Sequence, residues 1–152
     1  QGGAHQILYT DHLEADDCIA ITVKHVLPDK QIFIITSDKD YLQLSKPNIS
    51  IYNLAYKKLT EQKSSAGNPE CDLFCKIVMG DPSDNIKSVL KKCGPKTALK
   101  CFENRAYFEE RMKTENAYEL YNLNETLVDF NKIPEELVKE FLHLFTFQTP
   151  TL

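Results

Sequence analysis

Gln31-Ile32-Phe33-Ile34-Ile35-Thr36-Ser37-Asp38-Lys39-Asp40 decides how the rest of the chain is read. Residues 31–36 form a continuous apolar run rich in β-branched side chains, the pattern of a buried parallel strand. Ser37 and Asp38 end it, so Asp38 and Asp40 stand at a strand's carboxyl edge, where open α/β sheets hold their ligands. Upstream, Ala15, Cys18, Ile19, Ile21 (or Thr22) and Val26 recur at helical spacing until Pro28-Asp29 stops the run. Downstream, 41–44 reads as one helical turn. Residues 48–54 alternate as a second strand, with Ile49, Ile51 and Asn53 on one face. Helix, strand, turn and strand in this order make an α/β layer. Ile7-Leu8-Tyr9 is a further short strand candidate.

Lys63-Ser64-Ser65-Ala66-Gly67-Asn68-Pro69 is polar, flexible and closed by proline, and marks a boundary at 68–69. Beyond it the pattern is helical: 70–79, about 83–89, 96–102, 106–113, 117–120, 121–128 and 134–145, with a turn at Cys93-Gly94-Pro95. Phe141, Leu144, Phe145 and Phe147 follow helical periodicity and read as core. Tyr41 reads as packed under its short turn.

The 152 residues suit one domain or two small lobes, and a 42% hydrophobic content supports a packed core. No apolar run approaches the roughly 20 residues of a membrane helix, and the start lacks the pattern of a signal peptide. Five cysteines, an odd number, point to reduced thiols in a cytoplasmic or nuclear compartment. Cys71, Cys75, Cys93 and Cys101 lack the two-residue spacer of a zinc knuckle and read as small core hydrophobes. The four histidines show no ligand spacing.

The net charge of −4 argues against nucleic acid, but the charge is segregated. Lys87, Lys91, Lys92, Lys96, Lys100 and Arg105 face only Glu103 between 85 and 105. Phosphate responds to such a local stripe, because distant charge is screened within about 10 Å.

Acids gather in three clusters: Glu14-Ala15-Asp16-Asp17, Asp38-Lys39-Asp40 and Asp81-Pro82-Ser83-Asp84. Helix capping explains one acid per helix start. It does not explain three acids in four residues, nor a pair after a strand. Clustered carboxylates repel unless a cation joins them, and oxygen-only ligands select Mg²⁺ or Mn²⁺. Two such ions would assist attack on a phosphodiester without a protein nucleophile. In the third region, Gly94-Pro95-Lys96-Thr97 opens a helix whose free N–H groups suit phosphate, with Lys91, Lys92 and Lys96 adding charge. The plainer alternative is a solvated lysine face.

At these residues the sequence resembles the 5′ nuclease family: flap endonucleases, the 5′–3′ exonuclease domain of bacterial DNA polymerase I, and phage 5′–3′ exonucleases. Glu14-Ala15-Asp16-Asp17 resembles the family's E-A-D-D motif, and Thr36-Ser37-Asp38-Lys39-Asp40 its (T/S)-x-D-x-D. Gly80-Asp81-Pro82-Ser83-Asp84-Asn85-Ile86 is similar to G-D-x-S-D-N-I, and Gly94-Pro95-Lys96-Thr97-Ala98 to the G-x-K-T-A hairpin.

The resemblance implies a PIN-like (resolvase-like) parallel-sheet layer over 1–68, incomplete at its N-terminus, and an all-α helix-hairpin-helix lobe over 69–152. It implies Glu14, Asp16, Asp17, Asp38, Asp40, Asp81 and Asp84 as metal ligands for two Mg²⁺ or Mn²⁺ ions, with Asp16, Asp38 and Asp40 catalytic. Lys87, Lys91, Lys92, Gly94, Lys96, Thr97 and Lys100 become DNA contacts, with K⁺ at the hairpin. The hairpin departs from the family in lacking glycines ahead of its turn, where Ser88, Lys92 and Cys93 stand. The family's first strand, with its own aspartate, and its helical arch have no counterpart before Glu14. The expected activity is structure-specific hydrolysis of double-stranded or branched DNA with a 5′ end or flap, in replication or repair, including at a viral replication site. The alternative is a non-catalytic DNA-binding fragment, or a subunit that needs the missing N-terminal portion.

Overall fold

The structure, a computed structural model, describes residues 3, 4 and 6–148, with backbone alone for 145–148. The chain forms two compact units, Gln1–Ile32 with Ile133–Leu152, and Phe33–Lys132.

In the first unit, Glu14 caps α1 (Ala15–Ile21). Its backbone N–H donates to Asp17 Oδ2 at 3.1 Å, so the acids that start the helix also close its first turn. The expected single helix to Val26 changes hand-hold at Thr22: 22–26 is a π-helical turn, marked by Leu27 N donating to Thr22 O at 3.0 Å. Thr22 Oγ1 also donates to Cys18 O at 2.8 Å, the kind of side-chain bond that disturbs regular α geometry. α6 (Glu135–Gln148) lays Phe141 against Cys18 and Ile21, with Leu8, Leu13, Ile133, Val138 and Leu142 around them. The expected strand at Ile7-Leu8-Tyr9 is absent; these residues have no ladder partner among the described residues, and Leu8 instead packs on this core. Phe145 and Phe147, expected in the core, lie outside the described side chains.

In the second unit, β1 (Ile32–Ile35, whose first residue belongs to the other unit's segment) pairs with β2 (Ile49–Tyr52). They run parallel: Thr36, just past β1, donates to the carbonyl of Tyr52 at the end of β2, at 2.8 Å. The alternation expected of β2 holds, with Ile49 and Ile51 buried. β1 departs from the expectation of full burial. Ile34 is inside, whereas Phe33 and Ile35 are 63% and 55% exposed, because β2 is its one ladder partner among the described residues.

A 3₁₀ turn, Lys39–Leu44, links the strands and buries Tyr41 and Leu42, as expected for Tyr41. The segment 63–69 is tied down: Ser65 Oγ and Ala66 N donate to the Asp72 carboxylate at 2.8 and 2.7 Å. α2 (Pro69–Met79) follows, with proline in its first turn and Asn68 Oδ1 accepting from Glu70 N at 2.9 Å. Phe74 on its inner face meets Phe108 edge-on at 5.0 Å between centroids and Phe102 at 5.6 Å. Val78, Leu90, Cys101 and Met112 complete this core over α3 (Pro95–Glu103), α4 (Arg105–Thr114) and α5 (Tyr118–Val128). Truncating Phe74 to alanine would cost about 3–5 kcal/mol.

Cys71 and Cys75 share a face of α2, their Sγ atoms 4.0 Å apart, and burial pushes the Cys75 thiol up to about 12. The two helices expected over 117–128 are one, α5. The helix expected over about 83–89 is replaced by a 3₁₀ turn, Pro82–Asp84, and a non-helical loop to Gly94. Among the described residues no helix is long and apolar enough to cross a membrane.

Candidate metal centre and basic loop

The second and third acidic clusters are each shaped by their own carboxylates. Asp38 accepts from Asp40 N at 2.9 Å, while Thr36 Oγ1 accepts from Asp38 N at 3.1 Å, so the strand end and the 3₁₀ turn share one local network. Asp81 Oδ1 accepts from Ser83 N at 2.9 Å, and the backbones of Asp81 and Ile86 exchange two hydrogen bonds at 2.8 Å. Closing that small loop needs Asn85 in the left-handed region, φ 57°, which asparagine tolerates. It also needs Gly80 at φ 70°, where a Cβ would lie 2.4 Å from Ile86 O. This turn chemistry overrides the apolar periodicity that suggests a helix here.

Lys76, on the last turn of α2, joins the two acidic segments. Its Nζ is 2.7 Å from Asp40 Oδ1 and pairs closely with Asp81 Oδ2. The Asp40 contact is an ion pair, not a well-aligned hydrogen bond. Burial pushes the Asp40 carboxyl up, and Lys76 pulls it back only in part against Asp38 and Asp84. The hydrogen bond from Lys76, with those from Ser83, holds Asp81 far below the usual carboxylate range. On Lys76 itself burial opposes the charge, but the two carboxylates outweigh it and leave the ammonium more firmly protonated. The segment thus holds more negative charge than one ammonium neutralises. Its donors are carboxylate oxygens with no nitrogen or sulfur, a set that fits a hard divalent cation.

Asp84 is exposed on the 3₁₀ turn. Glu14, Asp16 and Asp17 stand at the start of α1 in the first unit. Burial raises the Asp17 carboxyl, moderated by the Glu14 N–H.

The basic residues Lys87, Lys91, Lys92 and Lys96 are exposed, as is Gly94; Thr97 is half-buried. Lys100 is engaged, its Nζ 4.1 Å from the centroid of the Tyr107 ring. The loop that carries the first three is pinned at several points. Val89 N donates to Val78 O at 2.9 Å, and Ser88 Oγ to Leu90 O at 2.8 Å. Asn124, 1% exposed, donates from Nδ2 to the carbonyls of Lys87 and Ile77, at 2.7 and 2.9 Å. Glu115 accepts from Lys91 N at 2.7 Å, and Arg111 donates to Lys91 O at 2.8 Å. Lys92, next along, sits at φ 50°. One helix, α3, follows the Gly94-Pro95 turn, whereas two short helices meeting there were expected.

Residues 3–69 match the model of the 5′–3′ exonuclease N-terminal resolvase-like domain. Over this stretch the chain is similar to the 5′–3′ exonuclease family. Among curated relatives of this exonuclease-like chain, the ribonuclease H of Enterobacteria phage T4 is 33% identical, matching 91% of this chain and 50% of its own length. A 5′–3′ exonuclease of Bacillus subtilis is 35% identical over 57% of this chain and 32% of that protein. The chain therefore spans half or less of the length of these relatives. Among solved structures, a T5 5′-exonuclease mutant superposes with a TM-score of 0.67, at 20% identity, over 87% of this chain and 66% of that one. A T5 protein co-crystallised with metal ions gives 0.71, at 19% identity, over 88% and 59%. The fold is that of the resolvase-like 5′ nucleases, mixed α/β with a small parallel sheet.

Four residues of these sites escape a reading by motif. Lys76 precedes Asp81 by five positions, but Asp40 is distant in sequence. Arg111 and Glu115 carry a visible signal, opposite charges four apart on a helix. Asn124 shows none; a polar residue within an apolar helix pattern looks like an ordinary surface position.

Proposed function

We propose that this chain is the metal-holding and DNA-gripping part of a structure-specific 5′ nuclease, a 5′–3′ exonuclease or flap endonuclease that hydrolyses phosphodiester bonds in replication or repair. What supports this reading best is the excess of carboxylate around Lys76, at the strand end and the Gly80–Ile86 turn, in a chain whose 3–69 match the exonuclease family. Asp38, Asp40, Asp81 and Asp84, with Glu14, Asp16 and Asp17, would hold two Mg²⁺ or Mn²⁺ ions; Asp16, Asp38 and Asp40 are the catalytic three. Bound there, the ions supply Lewis-acid polarisation of the scissile phosphate.

The chain's own residues do the rest. Asp38 and Asp81 fix the turns that orient Asp40, Ser83 and Asp84. Lys76 keeps the Asp40 and Asp81 carboxylates together while they carry like charge. Lys87, Lys91, Lys92, Lys96 and Lys100, with the backbone at Gly94 and Thr97, neutralise the phosphates of a duplex bearing a 5′ end or flap, and K⁺ would sit at the loop carbonyls. On this reading 1–68 is the C-terminal part of the nuclease layer, 69–152 is the helix-hairpin-helix DNA-binding lobe, and the protein works in the cytoplasm or nucleus, including a viral replication site.

The test is cleavage of a 5′-flap duplex with and without Mg²⁺ by the parent chain and by Asp38→Asn. Mg²⁺-dependent cutting that the substitution abolishes supports the reading, and cutting unchanged by it removes the metal role. A second reading, a DNA-binding fragment that needs a further N-terminal portion for activity, is favoured by β1. Its free edge and exposed Phe33 and Ile35 offer a place for another strand and its cover. DNA binding without cleavage by this chain, and cleavage once that portion is supplied, would favour it.

A further inference from the structure

Arg111 and Glu115 close a ring around the backbone of one residue of the basic loop, Lys91. Lys91 N donates to Glu115 Oε2 at 2.7 Å; Glu115 Oε1 accepts from Arg111 Nε at 2.9 Å and Nη2 at 2.6 Å; and Nη2 donates to Lys91 O at 2.8 Å. Both side chains are largely withdrawn from water, 21% and 15% exposed. The ring holds a loop residue at both its N–H and its C=O, immediately before Lys92 at φ 50°. A lysine keeps that left-handed conformation only where its surroundings enforce it. The opposite end of the loop is held by Asn124 at the Lys87 carbonyl. Between the two anchors lie Ser88, Val89 and Leu90, the latter two in the core.

We propose that Arg111 and Glu115 are positioning residues of the DNA grip. They set the backbone of Lys91 and Lys92 so that these cations and the start of α3 meet one strand of phosphates together. This rests on the DNA-binding reading of the loop and adds what that reading omits: why a surface run of lysines has one shape. The pair is itself close to neutral, and Arg111 Nε and Nη2 are committed within it, so its effect runs through geometry and not through added charge.

Geometry and charge predict opposite signs for one substitution. Glu115→Gln removes a negative charge beside the basic stripe, so electrostatics alone would tighten DNA binding. The positioning role makes it weaken binding, because the amide replaces one of the two accepting oxygens with a donor and so loses either Lys91 N or Arg111. The experiment is fluorescence anisotropy of the full chain on a labelled 5′-flap duplex in EDTA, with thermal melting of every variant. Glu110→Gln, an exposed acid on the same helix, is the matched charge control, and Lys91→Ala and Lys96→Ala test the grip itself.

The expected result is a loss of about fivefold or more for Glu115→Gln, no loss for Glu110→Gln, and a matching loss for Arg111→Met that is not additive with Glu115→Gln. Glu115→Gln binding as tightly as the parent, while the lysine variants weaken, would overturn the positioning role alone. Lysine variants that bind normally would overturn the grip reading and this inference with it.

Discussion

The second acidic turn runs directly into the basic loop in sequence, yet the acidic turns and that loop are held by different means. Each acidic turn is built by its own residues: Asp38 bonds Asp40, Asp81 bonds Ser83 and Ile86, and Gly80 and Asn85 supply the left-handed positions. The basic loop contributes little to its own shape. Asn124, Arg111 and Glu115, arriving from α4 and α5, fix it from outside. A self-made turn is robust and shows in a short motif; a borrowed shape depends on the helices that lend it. On the proposed function, chemistry needing like charges at fixed distances suits the first kind, and a surface that follows a long polyanion tolerates the second.

The contrast can be broken in several ways. The greatest effect is expected on cleavage: Asp40→Asn should reduce Mg²⁺-dependent cutting of a flap duplex by about 1,000-fold, measured at equal DNA occupancy. Gly80→Ala comes next. A Cβ against the Ile86 carbonyl at positive φ should cost about 3 kcal/mol or more in urea unfolding. An alanine tolerated there would show that the acidic turn is not self-made. Asn124→Ala leaves the Ile77 and Lys87 carbonyls unpaired and should cost about 1–3 kcal/mol, with DNA affinity falling as the loop loosens.

The pH dependence separates the regions further. Asp81 has its folded carboxyl below the unfolded value, so it contributes stability that is complete above about pH 4 and lost as the pH falls below it. Asp40, raised by burial, acts in the opposite sense and recovers stability as it takes its proton. Lys76→Met should therefore flatten the acid limb of a Tm-against-pH curve. The smallest change is Lys96→Ala, which should lower the salt slope of DNA binding by about 1 and leave stability unchanged.

How much of this was legible in the chain follows the same division. The run 31–36 gave β1, alternation gave β2, and 3.6-residue spacing with Asn68-Pro69 gave α2, because each signal is local and the structure leaves it unopposed. The helix expected over 83–89 failed where turn-forming Asp81, Asn85 and Gly80 outweighed apolar spacing. The strand at 7–9 failed for want of a partner. Asp38, Asp40 and Asp81 were readable as acids in turns, but Lys76 was not. Its role comes from Asp40 and Asp81 meeting its ammonium, and only tertiary structure brings 40 and 76 together.

The sulfur chemistry of α2 has a practical bearing. With Cys75 pushed up to about 12, and Cys71, Cys93, Cys101 and Cys18 also raised, the native thiols stay protonated near neutrality. A new cysteine on an open surface position, such as Glu110→Cys, should outrun them all toward a maleimide dye. That allows a single reporter to be attached beside the loop without first stripping the protein of its own sulfur.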